Sequence, residues 1–155
     1  MPKSHNAAPD AIDLLKEDHA KVKKAFKTFE KMDKEDTDAM KELVTTVCED
    51  LKAHTTIEEE IFYPAVRAEI EDDDLMNEAQ IEHQSAKELI AQLESLEPND
   101  PLYVATFTVL GEYVNHHVEE EEEEMFPEAK KLDLDLEALG QQMKERKEEL
   151  VGEEA

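Results

Sequence analysis

Four stretches of this chain repeat apolar residues at alternating intervals of three and four, and proline or clustered acidic residues separate them. Such spacing keeps one apolar stripe on a helix of about 3.6 residues per turn and cannot serve a strand, whose faces alternate every second residue. The first stretch follows Pro9-Asp10, with Asp10 placed to cap it, and carries Ile12, Leu15, Val22, Phe26 and Phe29 to about residue 33. The second runs from near Thr37 to about Arg67 with Met40, Val44, Val47, Leu51 and Ile61 on one face, and Pro64 is expected to kink it or end its regular part. Acidic residues Glu71 to Asp74 open the third, whose stripe is Met76, Ala79, Ala86, Ile90 and Leu93. After the break Pro98-Asn99-Asp100-Pro101, the fourth turns Phe107, Leu110 and Val114 inward and ends near Pro127. A shorter, strongly charged helix is expected from about Asp135 to Leu150, packed on the others or trailing from them. Four helices of about 25 residues with short connections predict an all-α, antiparallel up-down four-helix bundle with a short C-terminal helix.

Composition narrows the function classes. The 155 residues include 17 Lys+Arg against 42 Asp+Glu, a formal charge of −25 that repels phosphate backbones and anionic membrane surfaces. Nucleic acid and membrane are therefore not expected as partners. Three glycines and 5% aromatic residues do not suit a turn-rich β-fold, and a single cysteine forms no internal disulfide. With no long apolar run and no leader-like N-terminus, a cytoplasmic protein is expected, a monomer or weak oligomer. The organisation expected is a flexible segment over residues 1–9, a bundle over 10–130 and a charged helix or tail over 131–155.

The chemistry lies on the inner stripes. His19 falls between Leu15 and Val22, His54 follows Val47 and Leu51, His83 falls between Ala79 and Ala86, and His117 follows Leu110 and Val114. One turn beyond two of them, on the same faces, stand Glu58 and Glu121. His54 and His117 each precede a proline by ten residues, and Asp18-His19-x-x-x-Lys23 is echoed by Glu82-His83-x-x-x-Lys87, so the chain reads as two related hairpins. His19 and His83 lie about ten residues into their helices, His54 and His117 about ten before the ends of theirs. An antiparallel bundle puts all four in one layer, about 15 Å from one end.

One histidine on an apolar stripe is most simply a satisfied core residue. Four imidazoles and two carboxylates in one layer would instead leave several buried charges uncompensated, a penalty that bound cations remove. Nitrogen and oxygen donors without thiolate suit iron, and less distinctively zinc, copper or manganese, whereas calcium and magnesium prefer oxygen alone. Two metals bridged by Glu58 and Glu121, each with two histidines, use all six residues and leave positions open for a small molecule.

The segments Leu-Leu-Lys-Glu-Asp-His19, His54-Thr-Thr-Ile-Glu58-Glu59-Glu-Ile-Phe-Tyr-Pro64, Glu82-His83 and His116-His117-Val-Glu-Glu-Glu121-Glu-Glu-Glu-Met-Phe-Pro127 together resemble the hemerythrin-like, or HHE cation-binding, domain family. The resemblance covers about residues 10 to 130 and implies a four-helix bundle with a non-haem di-iron centre, two Fe ions held by His19, His54, His83 and His117 and bridged by Glu58 and Glu121. Oxygen-carrying members place a second histidine one turn along the third helix, where this chain has Ala79 and Lys87. The missing nitrogen points away from simple reversible O₂ carriage and toward redox chemistry or sensing. The replacement ligand is open between water, Tyr63 and Glu59. His116 rivals His117, and the matched distance to proline favours His117.

Other residues carry plainer expectations. His5 precedes the first helix as a disordered surface residue, and Cys48 is inert packing. The run Glu119 to Glu124 is a solvated face with only Glu121 inward, an iron-entry path being the second reading. Phe62, Tyr63, Met125 and Phe126 close the bundle end, and they also stand where access of small gases is controlled. The function expected is a di-iron protein that binds or reacts with O₂, peroxide or nitric oxide, with the metal rather than a side-chain nucleophile doing the chemistry. Di-iron oxidoreductase activity, a reversible O₂ carrier, and a sensor or interaction module without turnover are its three forms.

Overall fold

The computed structural model describes residues 10–71 and 73–154, so the N-terminal segment and His5 lie outside the described residues. Seven α-helices follow in order: α1 (Ala11–Lys31), α2 (Thr37–Ile57), α3 (Tyr63–Glu69), α4 (Asp74–Ser95), α5 (Pro101–Glu120), α6 (Phe126–Lys131) and α7 (Leu136–Glu154). Two widened π-turns, Glu58–Phe62 and Glu121–Met125, join α2 to α3 and α5 to α6 without a break, giving four long rods and a fifth helix. Each long rod meets its chain neighbour, and α2 meets α4 while α1 meets α5, which closes the antiparallel four-helix bundle.

Aspartates start four of the helices. The Asp10, Asp36, Asp100 and Asp135 carboxylates accept backbone N–H bonds from Asp13 (2.9 Å), Ala39 (3.2 Å), Leu102 (2.9 Å) and Ala138 (3.1 Å), satisfying donors that a helix end otherwise leaves bare.

The prolines disturb the helices as expected, by a device the sequence does not specify. Regular α-helix stops at Ile57, before Pro64, and resumes at Tyr63 with Pro64 in its first turn. The same happens before Pro127, so the fourth rod continues to Lys131 instead of ending at the proline. In the first π-turn the Tyr63 N–H reaches back five residues to the Glu58 carbonyl. The extra residue opens the turn just where the proline has no N–H to give. It also advances the buried face by one position, so Phe62 is fully buried while Ile61, expected on the stripe, is only partly buried.

Two apolar clusters sandwich one polar layer. One contains Phe26, Phe29, Val47, Leu51, Phe107 and Leu110. The other contains Ile12, Leu15, Ile57, Phe62, Met125, Phe126 and Met143. The C-terminal helix is 19 residues long, packs on α1 and α2, and buries Met143 completely in the second cluster. Among the described residues, no helix is long and apolar enough to cross a membrane.

Candidate metal centre

All six stripe residues meet between the two clusters. His19 comes from α1, His54 from α2, His83 from α4 and His117 from α5, while Glu58 and Glu121 open the two π-turns. Glu58 and Glu121 are fully buried. Ligand-capable atoms within 4.8 Å of one another form two groups that share both glutamates: His19, His54, Glu58 and Glu121, and His83, His117, Glu58 and Glu121.

The first group leaves polar atoms without partners. His19 Nε2, His54 Nε2, Glu58 Oε2 and Glu121 Oε1 are buried and have no hydrogen bond, although His19 Nε2 lies 3.0 Å from Glu121 Oε1 and His54 Nε2 lies 3.3 Å from Glu58 Oε2. A buried polar atom without a hydrogen bond costs about 1–3 kcal/mol, a cost that a cation held between these four would remove. The donor set, two imidazole nitrogens with carboxylate oxygens, fits a first-row divalent metal.

The second group is filled from within. Its histidines stand at much the same distance from the shared carboxylates, with His83 Nε2 2.9 Å from Glu58 Oε1 and His117 Nε2 3.3 Å from Glu121 Oε2. The Tyr63 hydroxyl lies 3.2 Å from His83 Nε2 and from His117 Nε2, donates to Glu58 Oε1 at 3.2 Å, and makes a short bond to Glu121 Oε2. Of the two expectations for Tyr63, a side chain closing the core and a candidate ligand, the structure places its hydroxyl inside this donor group. In a regular α-helix, five residues turn through about 500°, which would point Tyr63 well away from Glu58; the widened turn brings both to one side. Phe126 holds the corresponding place after Glu121, and its ring stacks on His19 with centroids 5.8 Å apart.

Behind each imidazole stands a carboxylate. Asp18 meets His54 Nδ1 at 2.9 Å, Glu82 meets His117 Nδ1 at 2.6 Å, Glu59 meets His83 Nδ1 at 2.8 Å and Glu122 meets His19 Nδ1 at 2.8 Å. An Nδ1–H donated outward fixes the tautomer whose Nε2 lone pair faces the cluster. Glu122 corrects the expectation that only Glu121 of its run turns inward. Glu59 was one of the open candidates for a ligand and holds His83 from behind instead, tied also to Lys87 at 2.7 Å. The repeated Asp18-His19 and Glu82-His83 pairs were the available signal, since each acidic residue serves the histidine of the next rod. His117 is mostly buried, whereas His116 is 64% exposed and lies 3.4 Å from Glu120.

Electrostatics follow from this packing. Burial pulls the His54 and His117 imidazoles down, but the facing Glu58 and Glu121 carboxylates outweigh it and push them up to about 10 and about 11. Burial drives the Glu121 carboxyl upward, yet His117 beside it holds it well below the usual range. Burial raises the Tyr63 phenol well above its ordinary value, and the two buried glutamates add to this.

A cavity of about 40 Å³ adjoins the four histidines. Its remaining wall is largely Val22, Leu51, Ala86, Val114 and Val118, with Ala86 leaving room one turn beyond His83.

Residues 10–129 match the Hemerythrin HHE cation binding domain family. The chain belongs to that family. A crystal structure of a hemerythrin HHE cation binding domain-containing protein from Mycobacterium kansasii superimposes with a TM-score of 0.79 at 26% identity, covering 94% of this chain and 89% of that one. A curated relative from Nostoc sp., named DNA nickase, is 31% identical over 114 residues. That match takes in 74% of this chain and only 32% of the relative, so the chain spans about a third of that protein's length. This HHE domain therefore carries a buried histidine–glutamate cluster suited to cations.

Proposed function

We propose that this HHE domain holds two iron ions and uses them to bind or transform O₂, peroxide or nitric oxide. The observation that carries the reading is the set of four buried, unpartnered atoms on His19, His54, Glu58 and Glu121, beside a second group completed by Tyr63. One ion would take His19 and His54, the other His83 and His117, with Glu58 and Glu121 shared and Tyr63 standing where the third helix offers no second histidine. Iron in such a site supplies one-electron and O₂ chemistry at an open coordination position.

The protein's own residues make the two positions unequal. Tyr63 brings an oxygen donor to the second, while Phe126 brings only carbon to the first. An ion held by His19 and His54 would therefore be the one left with room for a small molecule. The small, mostly apolar cavity beside the histidines suits a diatomic or similarly small molecule and excludes larger substrates. Turnover is favoured over reversible carriage because an oxygen donor replaces a neutral imidazole. A nicking activity is not carried over, since the shared region is a minor part of that relative and a charge of −25 repels a phosphate backbone.

Mixing the ferrous-loaded protein with O₂, with peroxide and with nitric oxide in a stopped-flow spectrometer tests the reading. Consumption of at least one of them with spectral change is expected. An O₂ adduct that dissociates intact on removing the gas would instead support a carrier, and no change with any of the three would exclude both.

A further inference from the structure

The helix that follows the family-matched segment reaches back into the centre. Residues 10–129 match the family, whereas α7 spans Leu136–Glu154. Its Lys147 ammonium makes a short ion pair with Asp18 Oδ1, and Asp18 Oδ2 accepts from His54 Nδ1 at 2.9 Å. Asp18 is 8% exposed and His54 6%, and His54 Nε2 is one of the four unpartnered atoms of the first group. The adjacent Arg146 takes a different partner, Glu60 of the first π-turn, at 2.9 Å.

The three other histidine–carboxylate pairs are finished inside the bundle or at its surface. Lys87 of α4 backs Glu59, and the exposed His116 of α5 lies 3.6 Å from Glu82. Glu122 stays one-third exposed. Asp18 alone of the four is nearly closed off, and among the described residues the cation that meets it comes from α7. A buried carboxylate with no counter-charge is unstable and would turn toward solvent, releasing the His54 ring.

We infer that Lys147 is a positioning residue of the metal centre, acting through Asp18 to fix the tautomer and orientation of His54, and that α7 is thereby part of the centre. The inference rests on the cluster being a metal site. Outer partners of ligating histidines typically change metal affinity about 10–100-fold when removed, and the effect should fall on the His19–His54 ion.

The test loads the full chain anaerobically with ferrous iron and follows its release to a coloured ferrous chelator. Wild type should release two equivalents slowly. Lys147→Met should release one equivalent about 10–100-fold faster and leave the second at the wild-type rate. Asp18→Asn, which breaks the same link without shortening a side chain, should do likewise. Lys147→Arg should restore slow release, and Arg146→Ala, which loosens α7 without touching Asp18, should behave as wild type. Equal release from Lys147→Met, Asp18→Asn and wild type would overturn the inference, as would equally fast release from Arg146→Ala, which would reduce α7 to simple packing. If Lys147→Met fails to fold, Asp18→Asn and Lys147→Arg decide alone. A wild type that takes up no ferrous iron would sink the underlying metal reading, a failure distinct from the others.

Discussion

Tyr63 shows how much one side chain can decide. Its hydroxyl lies 3.2 Å from two imidazole nitrogens that the third helix leaves without a second histidine partner. Replacing it with phenylalanine removes that oxygen and little volume. Tyr63→Phe should therefore load with metal but lose the visible absorption of a ferric phenolate, which a spectrum of the oxidised protein checks; an unchanged spectrum would assign that ligand to water. Cys48 represents the opposite case. Burial pushes its thiol up to about 12, with Glu94 adding to the rise, so almost no thiolate exists at neutral pH. A thiol reagent at pH 7–8 should label it slowly in the folded protein and promptly once urea unfolds the chain. The six inward residues were legible from sequence because each occupies a stripe position in a 3-4 rhythm. The carboxylates behind the imidazoles were not, because contacts between rods depend on how each rod rotates against its neighbour.

The helices themselves were legible for the same reason, and Asp10 marked the start of the first. Asp100→Ala should lower stability by about 1 kcal/mol through loss of its bond to the Leu102 N–H, measurable as a lower urea midpoint with unchanged slope. The two π-turns were not legible. Pro64 and Pro127 signalled a disturbance but not its kind, and an uninterrupted 3.6-residue period places Ile61 where Phe62 actually sits. Both turns begin at the shared glutamates, so the elements that break regularity are the ones that serve the site. The core below the site is a separate matter. Phe107 is fully buried against Phe26 and Phe29, with centroids 4.7 and 4.5 Å apart. Phe107→Ala should cost about 3–5 kcal/mol in chemical denaturation while metal content per chain stays the same.

Across the whole molecule, charge and protons couple the fold to the site. His54 and His117, raised to about 10 and about 11 by the carboxylates they face, stabilise the metal-free fold fully below their unfolded value of about 6.5. That contribution is lost as pH rises toward 10–11. Glu121 and Asp18, both held low against burial by neighbouring imidazoles, contribute above their unfolded values near 4 and lose that contribution as pH falls further. Metal-free protein should thus be most stable between about pH 4.5 and 6.5, as urea midpoints against pH would show. Cations compete with the same imidazole protons, so uptake should release protons into a weakly buffered solution and should weaken as pH falls. At pH 7 the −25 charge adds general repulsion, and moderate salt should raise the midpoint there.

The most direct test of a two-iron centre is the metal content of the purified chain, counted by elemental mass spectrometry beside the Glu58→Ala and Glu121→Ala variants. About two irons per wild-type chain, falling sharply in both variants, is the predicted result. Wild-type protein that stays metal-free after anaerobic reconstitution with ferrous iron, with both variants simply more stable, would contradict it.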